Sequence, residues 1–489
     1  GGHTDYQGDL AAYTASATTV KILLNSVVST PSAKFATADI SDFYLNTPLD
    51  RPEYVKIRRN QIPLRTWAKY NLDTLVFDDN YVMARLDKTI PGLPQSGILS
   101  QTALVKHLHS YGYRLNEGCL LTHTTRPIAA ALIVDDFGIK YTDQADLDHL
   151  LQALRDKYDI TFDSSGTHYI GIDLAWTYDG PGRRVDLSMP HYLAKLLSAL
   201  GFTKSAHATN NPTPYAAPSY AREQYTAPLD STPLLSADRT KRIQSIVGSI
   251  GYYAEILDYT MLTPVRLISS EQARPTENVD ASSTHLLEYA ATWPNAILTF
   301  YPSDMQLKIM SDATYLSEPK AGSRAGGLHY LGDLPSKQQW VNGGIRALSR
   351  RHDVVVSSAF ESEIAATFVN AVESLASTRD LILLGHPQLP TEITSDNQVS
   401  VDICNGHSTQ RRHKSIDMRF EWIICRSKQK QFSVVWSPGV NNHADYFTKK
   451  HRTAAHAARS KRVLATIRFA GVEHLLPDHL LRHIKRKAG

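Results

Sequence analysis

The feature that most constrains the fold is a pair of adjacent aspartates inside the apolar stretch "AALIVDDFGIKY", residues 130–141. Two neighbouring carboxylates repel each other, and burying either one without a partner is costly. Apolar residues flank the pair on both sides, which predicts two strands joined by a tight turn. Such a hairpin presents Asp135 and Asp136 at its tip. Aspartate is also common in solvated turns, and this stretch alone leaves that alternative open.

A third carboxylate lies nearer the start of the chain. The stretch "KFATADISDFYLN" alternates as a strand does and carries Asp39 at its end. Three acids around one point would suit Mg²⁺, a hard cation that prefers oxygen ligands, with Mn²⁺ as a substitute. Two such ions, about 3.5–4 Å apart, can stabilise the attacking and leaving oxygens of a phosphoryl transfer. Asp39, Asp135 and Asp136 are therefore candidate catalytic and metal-binding residues.

Length and composition limit the class of protein. A chain of 489 residues predicts two or three domains. No apolar run is long enough to span a bilayer, and no signal peptide opens the chain. The three cysteines are far apart and have no metal-ligand spacing, which favours buried thiols in a reducing compartment. The stretch "NNPTPYAAPSYAREQYTAP" predicts a linker or extended loop.

Charge is unevenly distributed along the chain. From Lys449 onward there are eleven lysines and arginines and two acids, a net charge of +9 in a chain whose total is +4. A basic tail on a slightly acidic body favours a polyanionic partner. A solvated helix end is an equally good explanation of the same charges.

A second group of acids lies in the last third of the chain. From about residue 303 the pattern predicts the order β-β-β-α-β-α-β-α. Each acid lies where a predicted strand ends, where a helix begins or on the flank of a helix, near the usual place for a site in an open sheet. Any one of them is more typical of a helix cap or a surface position. The candidate catalytic and metal-binding residues of this group are Asp312, Glu361, Asp396 and Asp445.

The first set of motifs resembles the reverse transcriptase of Ty1/copia-type LTR retrotransposons. "TADISDFYLNTPL" resembles the first palm motif, "IPGLPQSGILS" the nucleotide- and template-positioning loop, and "LIVDDF" the motif usually written Tyr-x-Asp-Asp. The resemblance implies that Asp39 and Asp135 are metal ligands, with Asp136 as partner. It also implies that Tyr44 is the steric gate selecting deoxynucleotides and that Gln95 contacts the nucleotide. Taken singly, these two would be a core aromatic and a loop amide.

The second set resembles the Asp-Glu-Asp-Asp group of ribonuclease H, which follows the polymerase in copia-type chains. That resemblance implies hydrolysis of the RNA strand of an RNA–DNA hybrid with two metal ions. The implied fold class is an α+β reverse transcriptase palm of the right-hand polymerase type, a helical thumb/connection and a C-terminal α/β ribonuclease H-like domain. The expected boundaries are 1–190 for the palm with partial fingers, 191–300 for the thumb/connection, 301–450 for the ribonuclease H-like domain and 451–489 for the basic tail.

The expected function is that of an RNA-directed DNA polymerase with coupled ribonuclease H activity and two Mg²⁺ per active site. The implied partners are an RNA template, a DNA primer, RNA–DNA hybrid, deoxynucleoside triphosphates and other products of the retrotransposon polyprotein, with no membrane. The expected location is the cytoplasm, including virus-like particles, or the nucleus, without secretion. Only 38 residues precede Asp39, so we expect truncated fingers and a fragment of a longer polyprotein. The alternative is a polymerase-inactive remnant that retains only ribonuclease H activity or nucleic-acid binding.

Overall fold

The structure is a computed structural model and describes residues 6, 8, 10–77, 80–180, 182–215, 229–337, 339–353, 355–407, 418–457 and 467–469. The chain forms two compact units. The first comprises Gly1–Ala15 and Ala36–Ser165, and the second comprises Ser16–Phe35 and Gly166–Gly489. The four segments expected from the sequence remain a prediction. Residues 216–228 of the expected linker and most of the basic tail lie outside the described residues.

Helices and strands are numbered in chain order. The helices are α1 (Ala17–Ser29), α2 (Leu64–Lys69), α3 (Ser96–His109), α4 (Gln144–Arg155), α5 (Tyr192–Ala199), α6 (Ala237–Ile256), α7 (Leu262–Glu271), α8 (Glu277–Thr292), α9 (Ala359–Leu383), α10 (Gln398–Cys404) and α11 (Met418–Lys428). The strands are β1 (Lys34–Ile40), β2 (Pro48–Arg58), β3 (Val76–Phe77), β4 (Tyr81–Lys88), β5 (Tyr113–Leu115), β6 (Leu120–His123), β7 (Ala129–Ile133), β8 (Asp136–Tyr141), β9 (Ile160–Asp163), β10 (His168–Tyr169), β11 (Ile172–Thr177), β12 (Arg184–Ser188), β13 (Ala296–Phe300), β14 (Gln306–Glu318), β15 (Gly322–Gly332), β16 (Gly344–Arg351), β17 (Thr391–Ser395), β18 (Phe432–Trp436) and β19 (Ile467–Phe469).

The first unit is built on a six-stranded sheet with the strand order β5-β6-β7-β8-β1-β9. Helices α3 and α4 pack their apolar side chains into the core of this sheet. In α4 four leucines recur at helical spacing, and each is at most 3% exposed: Leu147, Leu150, Leu151 and Leu154. Burying such a side chain stabilises by about 1.5–3 kcal/mol, so this stripe is enough to dock the helix. Asp143 caps α4 by accepting a hydrogen bond from the amide of Ala145.

A three-stranded sheet with the order β2-β4-β3 also belongs to the first unit. No strands were singled out in this stretch from the sequence. Alternate residues of β2 are exposed, among them Tyr54, Lys56 and Arg58, and the ammonium of Lys56 lies 4.1 Å from the ring centroid of Tyr81. This sheet buries little apolar surface on that face. The alternation of apolar and polar residues is therefore weak in its sequence.

Helix α1 lies inside the second unit. Ten of its thirteen residues are buried, so protein surrounds most of its circumference. The side chain of Ser16 caps its first turn by accepting from the amide of Thr19. The guanidinium of Arg183 caps the C-terminal end of the helix. It donates hydrogen bonds to the carbonyl oxygens of Val27, Val28, Thr30 and Ala33.

Two five-stranded sheets form the rest of the β structure of the second unit. The first has the order β10-β11-β12-β13-β19. Strand β13 follows β12 by more than a hundred residues yet pairs with it, with Leu187 opposite Leu298. Pairing over such a distance leaves no local signal in the sequence.

The second five-stranded sheet has the order β16-β15-β14-β17-β18. Its first three strands are antiparallel, whereas β17 runs parallel to β14 and β18 runs parallel to β17. Parallel neighbours need a crossover connection. Helix α9 leads into β17, and α10 and α11 connect β17 to β18.

The expected order of elements is close to what is observed in this part of the chain. The mixed α/β character is confirmed, while the palm and the thumb remain predictions. Two details differ. Strand β14 continues past Asp312 to Glu318, and the expected closing helix near Asn442 begins as a single 3-10 turn, His443–Phe447. Among the described helices, none combines the length and the apolar character needed to cross a membrane.

Candidate active sites

The first acidic cluster forms at a hairpin in the first unit. Strands β7 and β8 pair with Ile133 opposite Asp136, so Val134 and Asp135 make a two-residue connection. Strand β1 neighbours β8, and the amide of Ile40 donates to the carbonyl oxygen of Asp135 at 3.3 Å. Carboxylate oxygens of Asp39, Asp135 and Asp136 lie within 4.8 Å of one another. The structure thus brings together all three acids singled out from the sequence.

The turn that presents these carboxylates is strained. Val134 has φ +60°, in the left-handed region that β-branched residues rarely adopt. Such a conformation costs on the order of 1–3 kcal/mol and persists only where the surrounding structure imposes it. Here the buried strands on either side impose it, since Leu132 and Phe137 are fully buried.

The electrostatics of the first cluster depend on partial exposure. Each of the three acids is half-buried. Burial raises the pKa of Asp39, and the charge of Asp135 raises it further. A cation among these oxygens would relieve that repulsion.

Two further residues of the first unit were predicted to contact the nucleotide. Tyr44 lies in the 3-10 turn Phe43–Asn46 directly after β1, half-buried against the core of the sheet. Gln95 precedes α3 and is only 2% exposed. Its side-chain amide donates to Oε1 of Glu53 at 3.2 Å. In this structure Gln95 therefore faces another side chain of the protein.

The second acidic cluster forms on the mixed sheet of the second unit. Met310 of β14 pairs with Thr394 of β17 in parallel register. Asp312 and Asp396 each lie two residues further along the chain than this pair. They are therefore level with each other at neighbouring positions. Asp312 lies in the middle of β14 opposite Gly326, not at a strand end as expected, whereas Asp396 does follow the last residue of β17.

The glutamate that joins these two aspartates is Glu363, not Glu361. Ligand oxygens of Asp312, Glu363 and Asp396 lie within 4.8 Å of one another. The carboxylate of Glu361 instead accepts hydrogen bonds from the amide and the hydroxyl of Ser357, both at 2.8 Å, ahead of the first turn of α9. Residues two apart on a helix point about 200° apart, so only one of these glutamates can face the sheet.

The carboxylate of Glu363 is held in an electrostatically unfavourable place. It is 8% exposed, and its Oε1 accepts a hydrogen bond from the amide of Ala313 at 3.3 Å. Its Oε2 is buried and accepts no hydrogen bond from the part of the chain that the structure describes. Burial, followed by the charges of Asp312 and Asp396, raises the pKa of Glu363 well above its usual range.

Asp445 lies beside this cluster but is not one of its three converging acids. It is in the turn His443–Phe447, and its carboxylate forms an ion pair with Lys449. The hydroxyl of Thr448 lies 2.6 Å from Oδ2 of Asp312 and 3.1 Å from the carbonyl oxygen of Asp445. Thr448 thus connects the segment carrying Asp445 to the strand carrying Asp312.

A glycine in β15 makes that connection sterically possible. A Cβ added at Gly326 would lie 2.6 Å from Cγ2 of Thr448 and 2.7 Å from the carbonyl oxygen of Ala444. Only a residue without a side chain allows this close approach. The segment that carries Asp445 therefore packs directly on the backbone of β15.

Sequence reasoning missed Glu363, Thr448 and Lys449. A signal for Glu363 was present in α9. Small or polar residues recur at helical spacing after it, and all of them are buried: Ala366, Thr367, Asn370, Ser374 and Ser377. Such a stripe is typical of a helix face that packs closely on a sheet, and Glu363 continues it towards the N-terminus, whereas Glu361 does not. No comparable pattern marks the other two.

Comparison with known proteins gives a likeness to ribonuclease H structures. No family model matches the chain. One similar structure is RNase H1 from the halophilic archaeon Halobacterium salinarum NRC-1, with 12% identity, 29% of this chain and 94% of that chain covered and a TM-score of 0.21. A second is the N-terminal RNase H domain of a Mycobacterium tuberculosis protein, solved as a fusion with maltose-binding protein, with 13% identity, 32% and 97% coverage and a TM-score of 0.20. A third is LC11-RNase H1, isolated from compost by a metagenomic approach, with 14% identity, 29% and 93% coverage and a TM-score of 0.23.

Proposed function

We propose that the second unit is a divalent-metal-dependent ribonuclease that hydrolyses the RNA strand of an RNA–DNA hybrid. The observation that carries the proposal is the convergence of Asp312, Glu363 and Asp396, together with a buried Oε2 of Glu363 that accepts no hydrogen bond from the described residues. Three converging carboxylates repel one another, and a bound cation would relieve that repulsion.

The donor set fits Mg²⁺ or Mn²⁺, because all the converging atoms are carboxylate oxygens. When bound, two such ions would supply a hydroxide nucleophile and stabilise the leaving 3′-oxygen. Asp312 and Asp396 would provide ligands from two neighbouring strands, so their separation is fixed by the sheet. Glu363 would complete the set from α9. Asp445 remains a candidate fourth ligand, and the turn that carries it packs on β15.

The hybrid as substrate, and origin in a Ty1/copia-type retrotransposon, are part of the same proposal. They are supported by the order of the acidic motifs along the chain and by the β-β-β-α-β pattern that carries them. A ribonuclease of this kind would recognise RNA through the 2′-hydroxyls in the minor groove of the hybrid.

Cleavage of a labelled RNA–DNA hybrid tests the proposal. Glu363→Gln and Asp396→Asn should abolish Mg²⁺-dependent cleavage, because each removes a converging carboxylate. Glu361→Gln is the matched comparison, since it makes the same chemical change two residues away on the same helix. It should cleave at close to the wild-type rate. If Glu361→Gln is inactive and Glu363→Gln is active, the assigned ligand set is wrong.

We also propose a second function, nucleotidyl transfer in the first unit. Its support is the cluster of Asp39, Asp135 and Asp136, presented by a strained hairpin that the fold maintains. These carboxylates would hold divalent cations, whose positive charge would be available to the triphosphate of a deoxynucleotide during attack by a primer 3′-hydroxyl. Tyr44, five residues after Asp39, is proposed to contact the sugar.

Primer extension on an RNA template separates the two functions. Asp135→Asn should lose extension, while Asp50→Asn, an exposed aspartate of the same unit, should keep it. If the wild-type chain cleaves hybrid but never extends a primer, the nuclease-only alternative is correct. If Asp135→Asn extends normally, the first cluster is not a polymerase site.

A further inference from the structure

An ion pair next to the candidate nuclease cluster suggests a role for a residue that is not one of the proposed metal ligands. Lys449 and Asp445 are one turn apart, and their side chains are in contact. The neighbouring residue Thr448 contacts Asp312 directly, so the ammonium of Lys449 belongs to the surroundings of the cluster. Its side chain is 47% exposed, whereas that of Asp445 is 11% exposed. The cation can therefore move into solvent, while the carboxylate cannot.

The charges around the cluster are strongly unbalanced. Asp312, Glu363 and Asp396 converge, and Asp445 lies beside them. The positive charge of Lys449 counteracts this excess, because its ammonium pairs with the carboxylate of Asp445 beside the cluster. The same charge opposes the rise in the pKa of Glu363 that burial and the neighbouring aspartates cause. Lys449 thus interacts with two separate acids, Asp445 by contact and Glu363 through its field.

We propose that Lys449 is a positioning residue that acts as an internal counter-cation, holding Asp445 and competing with the divalent metal for the charge of the cluster. This inference rests on the proposed nuclease function. A positive charge next to a cation site weakens cation binding. It also limits repulsion among the carboxylates whenever no metal is bound. The lysine would therefore set how much free Mg²⁺ the site needs.

Titration of the full chain with Mn²⁺, followed by electron paramagnetic resonance, tests this role without measuring activity. The binding sites that disappear in Glu363→Gln define the second cluster. For those sites Lys449→Gln should tighten Mn²⁺ binding about threefold to tenfold, the effect of removing one partly screened charge. Lys449→Arg keeps the charge and should stay within about twofold of wild type. Lys195→Gln, an exposed lysine on α5, should change nothing.

The possible results separate this inference from the function on which it rests. If Glu363→Gln retains every Mn²⁺ site, the proposed metal site itself is refuted. If Glu363→Gln loses sites but Lys449→Gln binds Mn²⁺ equally or more weakly, the nuclease proposal stands and the counter-cation role is refuted. Equal tightening in Lys449→Arg would also refute it, because charge would not be the cause. Lys449→Met serves as a second neutral variant if Lys449→Gln folds poorly.

Discussion

A lysine buried in α1 gives a quantitative test of the interior of the second unit. Lys21 is 1% exposed. Its Nζ donates to the carbonyl oxygen of Glu255 at 2.6 Å and to the hydroxyl of Tyr259 at 2.7 Å, and it lies 4.8 Å from the ring centroid of Tyr259. Burial, with a smaller contribution from the charge of Arg346, lowers the pKa of Lys21 from 10.5 to about 7.

This pKa fixes both the sign and the size of the expected effect. Each pKa unit is worth about 1.4 kcal/mol, so the charged form of Lys21 costs the folded state roughly 5 kcal/mol well below pH 7 and about 4 kcal/mol at pH 7. Between pH 7 and pH 10.5 the unfolded chain binds a proton that the folded chain does not. The free energy of unfolding therefore rises with pH by about 1.4 kcal/mol per pH unit from this group.

We predict that Lys21→Met stabilises the second unit by about 1–3 kcal/mol at pH 7. The variant removes the cost of burying the charge but loses the hydrogen bonds to Glu255 and Tyr259, worth about 1–3 kcal/mol together. By pH 10 the same variant should be destabilised by about 1–2 kcal/mol, because the wild-type lysine is then neutral and keeps those bonds.

Urea unfolding at pH 7, 8, 9 and 10 measures the effect. Tryptophan fluorescence reports mainly on the second unit, since five of the six tryptophans lie there. Lys195→Met controls for loss of a lysine from an exposed position and should show no change with pH. A difference between Lys21→Met and wild type that stays constant from pH 7 to pH 10 would show that Lys21 does not titrate in this range. The argument from burial would then be wrong.

Three further predictions concern the packing of the second unit. Arg183→Met should cost roughly 2–4 kcal/mol and speed amide exchange in the last turn of α1, because four carbonyl oxygens lose their donor. Gly327→Ala should lower the free energy of unfolding by about 1–3 kcal/mol, measured as a lower urea midpoint, since its Cβ would lie 1.9 Å from Oδ1 of Asn370. Gly332→Ala is the matched control, because its Cβ would come no closer than 3.2 Å to Lys308 and 3.4 Å to the ring of Tyr330. Asp258→Asn should stabilise the unit by about 3 kcal/mol at pH 7 and by nothing near pH 4, because burial raises the pKa of Asp258 to about 6 and stability is lost as pH rises from 3.8 to that value.

The sequence predicted well those elements whose own residues carry a regular apolar pattern, because such a pattern depends only on nearby residues. The β7–β8 hairpin is such an element, because apolar strands flank its turn. The pairing of β12 with β13 could not be predicted, because the residues between them contain no pattern that indicates which distant strand pairs with β12. The sheet of β2, β3 and β4 was missed for a different reason, since its exposed face carries mixed residues and gives no clear alternation.

The candidate sites divide in the same way. Asp39, Asp135 and Asp136 come from strands and a turn whose geometry allows little choice of direction, so their convergence followed from the pattern. Glu361 and Glu363 are both buried and both near the start of α9, and only the rotation of the helix against the sheet distinguishes them. That rotation is set by contacts such as the one between Asn370 and the carbonyl oxygen of Gly326. Those contacts involve residues far apart in the sequence.

Burial determines how strongly each cluster depends on positive charge. The acids of the first cluster are half-buried, so water can screen their repulsion. In the second cluster Asp312 is 2% exposed and Glu363 is 8% exposed, and water cannot screen them to the same degree. A lysine near the second cluster would therefore reduce the repulsion among its carboxylates more than it would in the first cluster. The first cluster has less need of such a residue, because its carboxylates keep contact with solvent.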